Sequence, residues 1–440
     1  MSEEVPKQGY QTMLIPTAEQ EKAFWQGCGT SRWAFNWAFE IKDKAFKARE
    51  KIPTAIDLHK RLNLLKKTEK YAWLYEVSKC ASQEGLRDCD NAFSHFFRRC
   101  REKTPGKKGY PKFKAKRHCK ASYRVTGTIK FLEGGLVQLP KVGIVRMAEK
   151  DYFPIGTAPQ ATISEANGKW YISACLPRKD KPIPEPKNLI NGVDVGIKAL
   201  ATPAIGEAVL APRPLKRLGK RLKRKQRQLS RKKKLEKRKE GDKTITIEGK
   251  NRAKKRLEVA KLHRKIGNIR ADALHKLTSL LSDENQILCI EDLKTSNLLK
   301  NKKLARAISD IGFYEFRRQL EYKCKWKGRH LILADTFYPS SQLDHKDGIQ
   351  NTELTLSDRT IFHKDGTQTD RDKNASINLV IYVLAGFYLL EKSQYREFFG
   401  NSSLWRWDRW ETFLNGTASA AETKQLLSSV CEAGKEHAQV

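Results

Sequence analysis

Two short runs of apolar residues, far apart in the chain, each stop at a carboxylate. They are Asn191-Gly192-Val193-Asp194-Val195-Gly196 and Ile287-Leu288-Cys289-Ile290-Glu291-Asp292. Both are too short for a stable helix, carry β-branched residues and are flanked by Gly or Asp, so they read as buried strands. A third acidic cluster, Asp370-Arg371-Asp372-Lys373-Asn374-Ala375, sits just ahead of the apolar stretch Ile377-Asn378-Leu379-Val380-Ile381-Tyr382-Val383-Leu384-Ala385. That stretch reads as a buried helix, whose dipole would keep a carboxylate near its N-terminus ionised. The chain must therefore build a sheet with acids at its strand ends and a helix that presents one more.

Taken singly, each acid is most simply a cap or a strand-end residue. Together they suit a different purpose, because a two-metal phosphodiester site needs several carboxylates converging on hard cations, and a sheet plus one helix can deliver them from distant positions. On that reading Asp194, Glu291 and Asp372 are the catalytic ligands of magnesium, with Asp292 and Asp370 as neighbours behind them.

The order strand-Asp, strand-Glu, helix-Asp is similar to an RNase H-like nuclease core. The segments resemble the split RuvC motifs of the TnpB family of transposon-associated RNA-guided nucleases and of the compact type V CRISPR effectors. Further matches follow in order: Ser31-Arg32-Trp33-Ala34-Phe35-Asn36-Trp37-Ala38, Tyr110-Pro111-Lys112-Phe113-Lys114-Ala115-Lys116, Leu139-Pro140-Lys141-Val142-Gly143, and Gly168-Lys169-Trp170-Tyr171-Ile172-Ser173. Leu262-His263-Arg264-Lys265-Ile266-Gly267-Asn268-Ile269-Arg270 with Leu274-His275-Lys276-Leu277 resembles the long helix between the first two acidic motifs.

The resemblance implies a multidomain α/β protein: a RuvC-like nuclease core, and a helical recognition module inserted in a small β-barrel, or wedge. Residues 1–16 and 119–187 would form the barrel, 17–118 the helical module, and 188–337 the nuclease domain with a basic helical insertion at 215–282. Residues 338–369 would be a knuckle insert, 370–395 the last nuclease motif and helix, and 396–440 a tail. Residue patterns agree: Thr17-Ala18-Glu19-Gln20 is a capping box, Cys80 to Arg101 reads as a helix, and Ala121 to Leu176 as short alternating strands that Gly9 to Leu14 would complete.

The same resemblance implies an RNA-guided DNA endonuclease: guide RNA and a double-stranded DNA target as partners, recognition of a short adjacent motif, and two magnesium ions, manganese also serving. A guided DNA-binding repressor without effective cleavage shares the architecture, as a guide-free RuvC-like nuclease shares the core. Self-association and a protein partner both stay open.

One part of the family pattern is broken. Members carry two Cys-x-x-Cys-Gly knuckles after Tyr-Pro-Ser-Ser, around a Leu-Ser-x-Arg stretch. Here Tyr338-Pro339-Ser340-Ser341 and Leu356-Ser357-Asp358-Arg359 survive, but the knuckles read Asp344-His345-Lys346-Asp347-Gly348 and Phe362-His363-Lys364-Asp365-Gly366. Positions 344, 347, 362 and 365 lack the thiolates that hold a structural zinc, so none is expected. A substitute site from Asp344, His345, Asp347, His363 and Asp365 fits no common zinc spacing.

Charge points the same way as the motifs. Eighty-six Lys and Arg against fifty Asp and Glu give a formal net charge of +36, the footprint of a phosphate-binding protein. Lys223, Arg224, Lys232 and Lys233 in the most basic segment, and Arg32, Lys112, Lys114, Lys116 and Arg264 elsewhere, are the candidate contacts to nucleic acid. Trp33 and Phe35 read as core rather than stacking platforms, whereas Leu404-Trp405-Arg406-Trp407-Asp408-Arg409-Trp410 could serve either purpose. The nine cysteines form no Cys-x-x-Cys pair, no apolar run nears the roughly 18 residues of a membrane span, and Met1-Ser2-Glu3-Glu4 is acidic where a secretory leader is basic. The expectation is a cytoplasmic, nucleoid-associated bacterial protein. Affinity for nucleic acid should then fall by roughly three orders of magnitude or more between 50 and 200 mM salt in a filter-binding titration; a flat response would contradict a phosphate partner.

Overall fold

The computed structural model describes residues 7–390 apart from 117, 179–181, 233–234, 241–242 and 356–357; side chains at 233–248 and 385–390 are also excluded. Lys233 and the Trp405-Arg406-Trp407 stretch thus lie outside the described residues. The chain divides into two compact units at Lys181/Pro182.

In the first unit, β1 (Lys7–Ile15) is followed by α1 (Ala18–Lys47), α2 (Ala55–Leu65), a 3-10 turn (Glu69–Tyr75) and α3 (Lys79–Arg101). Strands β2 (Ser122–Leu132), β3 (Leu136–Leu139), β4 (Gly143–Met147), β5 (Gly156–Ala166) and β6 (Lys169–Pro177) come next. They close with β1 into a barrel of order β1-β4-β3-β2-β5-β6. Period-2 alternation sends Val125, Ile129, Phe131, Ile163 and Ile172 into its core. Thr17 and Gln20 cap α1 reciprocally, as the sequence pattern requires. Phe35 is buried in the helical core, and Trp33 stacks on Trp37 at 6.2 Å, so these aromatics are packing residues.

The second unit begins with β7 (Asn188–Asp194), β8 (Ala199–Pro203), β9 (Val209–Leu210) and α4 (Pro214–Ser230), then a hairpin of β10 (Leu235–Glu240) and β11 (Lys243–Glu248). It continues with α5 (Lys250–Glu284), β12 (Asn285–Glu291), α6 (Thr295–Leu298), α7 (Ala305–Ile311), α8 (Phe313–Lys327) and β13 (His330–Ala334). The ribbon β14 (Thr360–Phe362) and β15 (Gln368–Asp370) leads into α9 (Arg371–Leu390). The five-stranded mixed sheet has order β13-β12-β7-β8-β9, with β12 parallel to both β13 and β7. Leu288 and Ile290 face the core made with α5, α7 and α8, and Ile287 and Cys289 face α9. A parallel centre buried on both faces is what the uninterrupted apolar runs demanded.

The basic insertion is a correction to the expected single helical segment at 215–282, because a hairpin interrupts it, pairing Leu235 with Glu248 through Glu240 with Lys243. Thr244-Ile245-Thr246-Ile247 is β-branched and alternating, a strand signal that the surrounding charge conceals. Among the described residues no helix is long and apolar enough to cross a membrane.

Helix α9 meets β7 at Gly192, where a Cβ would lie 2.1 Å from the Ser376 carbonyl oxygen and 2.9 Å from Leu379 Cβ. Gly192→Ala should therefore destabilise the protein by about 3 kcal/mol or more, the upper end of overpacking costs. Gly267→Ala, on α5 with nothing within 4 Å of the added carbon, should stabilise by about 0.5–1 kcal/mol. Chemical denaturation of both variants checks the pair.

Candidate metal centre

The β7–β12 register pairs Val193 with Ile290, so Asp194 and Glu291 leave adjacent strands side by side at the carboxyl edge of the sheet. That edge is where open α/β sheets place their ligands. Asp372 comes from the other direction, in the first turn of α9. The helix starts one residue earlier than Asp372, so this acid is inside it and not ahead of it. Asp370 does the capping: its Oδ1 accepts the backbone N–H of Asp372 at 2.9 Å and of Lys373 at 3.2 Å.

Glu291 and Asp372 both act on Asp194 through their charge, although among the described residues only Asp344, His345 and His363 bring three ligand atoms within 4.8 Å of one another. Burial, followed by the charges of Glu291 and then Asp372, pushes its carboxyl up to about 7, against the opposing pull of the Val195 backbone N–H and Arg371. Carboxylates gathered in this way repel one another, and a divalent cation relieves the repulsion. The donor set, three carboxylates and no thiolate or imidazole, fits a hard cation such as magnesium or manganese.

Neighbouring groups hold these acids in place. Ser340 Oγ donates to Glu291 Oε1 at 2.5 Å. Arg359 Nη1 lies 3.7 Å and Arg371 Nη2 4.0 Å from Asp372 Oδ1. Lys373 Nζ, its pKa lowered by burial, donates to the carbonyls of Pro203 and Ala204 at 3.0 and 2.6 Å, tying α9 to the end of β8. On β7, the buried Asn191 amide brackets Ile205 N and O. Asp292 is paired with Arg317. Sequence reasoning quoted Ser340 and Arg359 within motifs without a role, and gave Lys373 and Asn374 none, because their partners lie far away in the chain.

The expected nucleic-acid contacts divide. Lys112, Lys116, Lys223, Arg224 and Lys232 are exposed. Arg32 on α1 and Arg264 on α5 are half-buried. Lys114 is half-buried too: its ammonium sits 3.7 Å from the Phe35 ring centroid, and its backbone is bracketed by the Asn36 amide at 2.8 and 3.1 Å. The ammonium thus lies over that aromatic face.

At the four knuckle positions the residues do not fit a zinc thiolate centre. Phe362 is 78 % exposed, Asp365 is ion-paired with Lys346 at 2.6 Å, and Asp347 with Lys364 at 3.4 Å. Asp344, His345 and His363 do cluster, with ligand atoms within 4.8 Å of one another.

Three profiles of known families match the chain: OrfB_IS605, described as "Probable transposase", over residues 173–302; the Cas12f1-like TNB domain over 313–379; and a helix-turn-helix domain over 6–51. Across the last of these the structure has one strand and one uninterrupted helix. A Streptomyces pristinaespiralis protein named "Putative RNA-guided DNA endonuclease" is 34 % identical over 384 residues, covering 86 % of this chain and 90 % of its own. One from Escherichia coli K12, "Putative RNA-guided DNA endonuclease InsQ", is 29 % identical over 351 residues, covering 76 % and 82 %. A chain from the cryo-EM structure of the Cas12f1–sgRNA–target DNA complex aligns at 14 % identity and a TM-score of 0.31, covering 85 % of this chain and 99 % of its own.

Since the folded state holds the Asp194 proton up to about 7, where an unfolded Asp releases it near 4, the acid cluster destabilises the metal-free protein increasingly as pH rises between those values. Asp194→Asn should accordingly raise the melting temperature at pH 8, and the gain should shrink below pH 5. Millimolar magnesium should stabilise the wild type and leave the variant unmoved. Equal melting of both proteins at pH 8 without metal would contradict the convergence.

Proposed function

The chain belongs to the IS605 OrfB/TnpB family, and from that premise we propose that it is an RNA-guided DNA endonuclease cutting double-stranded DNA at a single RuvC-like site. The observation that carries the reading is the β7–β12 register, which sets Asp194 and Glu291 at adjacent strand ends, with Asp372 in the first turn of α9 as a further charge acting on Asp194. Asp194, Glu291 and Asp372 would hold two magnesium ions. Bound there, the ions would activate water for in-line attack and stabilise the departing oxygen.

The protein's own contributions follow from the geometry. Ser340 fixes the carboxylate plane of Glu291, Asp370 fixes the turn that carries Asp372, and Arg359, 54 % exposed beside Asp372, faces solvent where a phosphate would arrive. Guide RNA would supply sequence by pairing, and the protein would read a short adjacent motif and the backbone of the hybrid. Exposed Lys112, Lys116, Lys223, Arg224 and Lys232 are available for phosphate contact. Residues 1–16 and 119–187 are assigned as the wedge, 17–118 as the recognition module, 188–337 and 370–395 as the nuclease domain, and 338–369 as the target-binding insert.

Alanine at Asp194, Glu291 or Asp372 should remove guided cleavage by a factor of about a thousand or more while guide and target binding persist, and the losses should not add. Asp370→Ala should cost only what a lost helix cap costs, about 1 kcal/mol of stability, with cleavage largely kept. Gel assays of cleavage and binding on the same preparations decide. Cleavage surviving Asp194→Ala refutes the site, and a wild type that binds without cutting favours the repressor reading.

A further inference from the structure

The two His-Lys-Asp-Gly turns stand where the family resemblance puts zinc, yet their side chains are spent on one another. Each turn's aspartate works in two directions. Asp365 Oδ1 accepts Thr367 N–H at 3.0 Å while Oδ2 reaches across to Lys346 Nζ at 2.6 Å. Asp347 Oδ1 accepts Ile349 N–H at 2.9 Å while Oδ2 reaches across to Lys364 Nζ at 3.4 Å. The exchange is reciprocal, the lysine of each turn held by the aspartate of the other. Gly348 and Gly366, at φ of +73° and +81°, close both turns in the left-handed conformation.

Beneath this exchange lie the buried histidines. His363 Nδ1 donates to Asp344 Oδ1 at 2.7 Å, and its Nε2 is 2.7 Å from Thr369 Oγ1, so both ring nitrogens have partners. His345 offers its backbone N–H and ring Nδ1 to Asn374 Oδ1 at 3.0 and 2.7 Å. Hydrogen bonds therefore occupy His345 Nδ1, both ring nitrogens of His363 and Asp344 Oδ1, and a metal drawing on any of those atoms would have to displace them.

Those bonds lead to the acids. Asn374 lies two residues beyond Asp372, fully buried, and donates to the Leu343 carbonyl at 2.6 Å. One turn on, Asn378 donates to the carbonyls of Ser340 and Leu343 at 2.8 and 2.7 Å. Ser340, also buried, donates to Glu291. Segment 338–345 is thus stitched to the first two turns of α9 and to the end of β12, the elements that deliver Asp372 and Glu291.

We propose that the paired turns form a metal-free clasp, and that through it Ser340 and His345 act as positioning residues for Glu291 and Asp372. The clasp does the work of zinc with many weak bonds in place of one strong centre. Solvent-facing lysine–aspartate pairs are screened by salt, so the device is indifferent to chelators and sensitive to ionic strength. The proposal rests on the reading of the three acids as a divalent-cation site.

Its test uses the full-length, RNA-free chain titrated with Mn2+, binding being followed by electron paramagnetic resonance and by the rise in melting temperature, with guide RNA affinity measured in parallel. Wild type should show binding that Asp194→Asn removes. Ser340→Ala and His345→Ala should weaken it about tenfold, the effect of losing an outer partner of a ligand, with Ser340→Thr restoring it and guide affinity unchanged. Lys346→Asp and Asp365→Lys should each weaken Mn2+ binding, and the double exchange should recover it. Variants that bind Mn2+ as wild type does, or single reversals that the double exchange fails to rescue, overturn the positioning role while leaving the nuclease reading intact. A wild type without Asp194-dependent binding overturns both. Elemental analysis should find no stoichiometric zinc, and one tightly held zinc per chain, lost in His345→Ala, would overturn the clasp.

Discussion

Helix α9 can lie directly on strand β7 only because residue 192 has no side chain. With glycine there, the Ser376 carbonyl and the Leu379 side chain occupy space that any Cβ would claim. Leu379, Val380 and Val383 then close over Ile190, Ile287 and Cys289 as one apolar layer. The consequence is positional: the N-terminal turn of α9 arrives at the carboxyl edge of the sheet, where Asp194 and Glu291 already sit on adjacent strands. Every later element of the site depends on that approach, including the capping by Asp370, the Lys373 bridge to β8 and the Asn374 contact with the knuckle.

Gathering carboxylates carries a cost that the rest of the unit offsets. Burial and two like charges hold Asp194 far above its ordinary range; a fold that served stability alone would separate them. Cationic groups nearby soften the repulsion only in part: Arg359 and Arg371 stand 3.7 and 4.0 Å from Asp372, and Lys373 is directed instead at backbone carbonyls. The stabilising side comes from the sheet, buried on both faces, and from its hydrogen-bonded amides, Asn191 and Asn285 among them. A cluster that stays short of positive charge is suited to receive divalent cations.

How much of this the sequence disclosed depends on the range of the interaction. The strands that end at 194 and 291 were legible because short uninterrupted apolar runs flanked by Gly or Asp read as buried strands, and the barrel was legible because its period-2 alternation is local. The hairpin inside the basic insertion was missed because lysine and arginine dominate the segment and hide the alternation of Thr244-Ile245-Thr246-Ile247. The contact of Lys114 with Phe35 was invisible because only the fold brings them together. The repeated His-Lys-Asp-Gly was visible as two turns, but the crossed pairing of Lys346 with Asp365 and Lys364 with Asp347 is a tertiary fact. Ser340 and Asn374 belong to the same class, since their partners lie 49 and 29 residues away.

Anomalous diffraction from crystals grown with manganese tests the central claim most directly, because it locates the cation without reference to activity. Two peaks about 3.5–4 Å apart, bounded by the carboxylates of Asp194, Glu291 and Asp372, are the expected result, with no peak among Asp344, His345 and His363. Manganese absent from the three carboxylates, or present only at the histidine cluster, would contradict it.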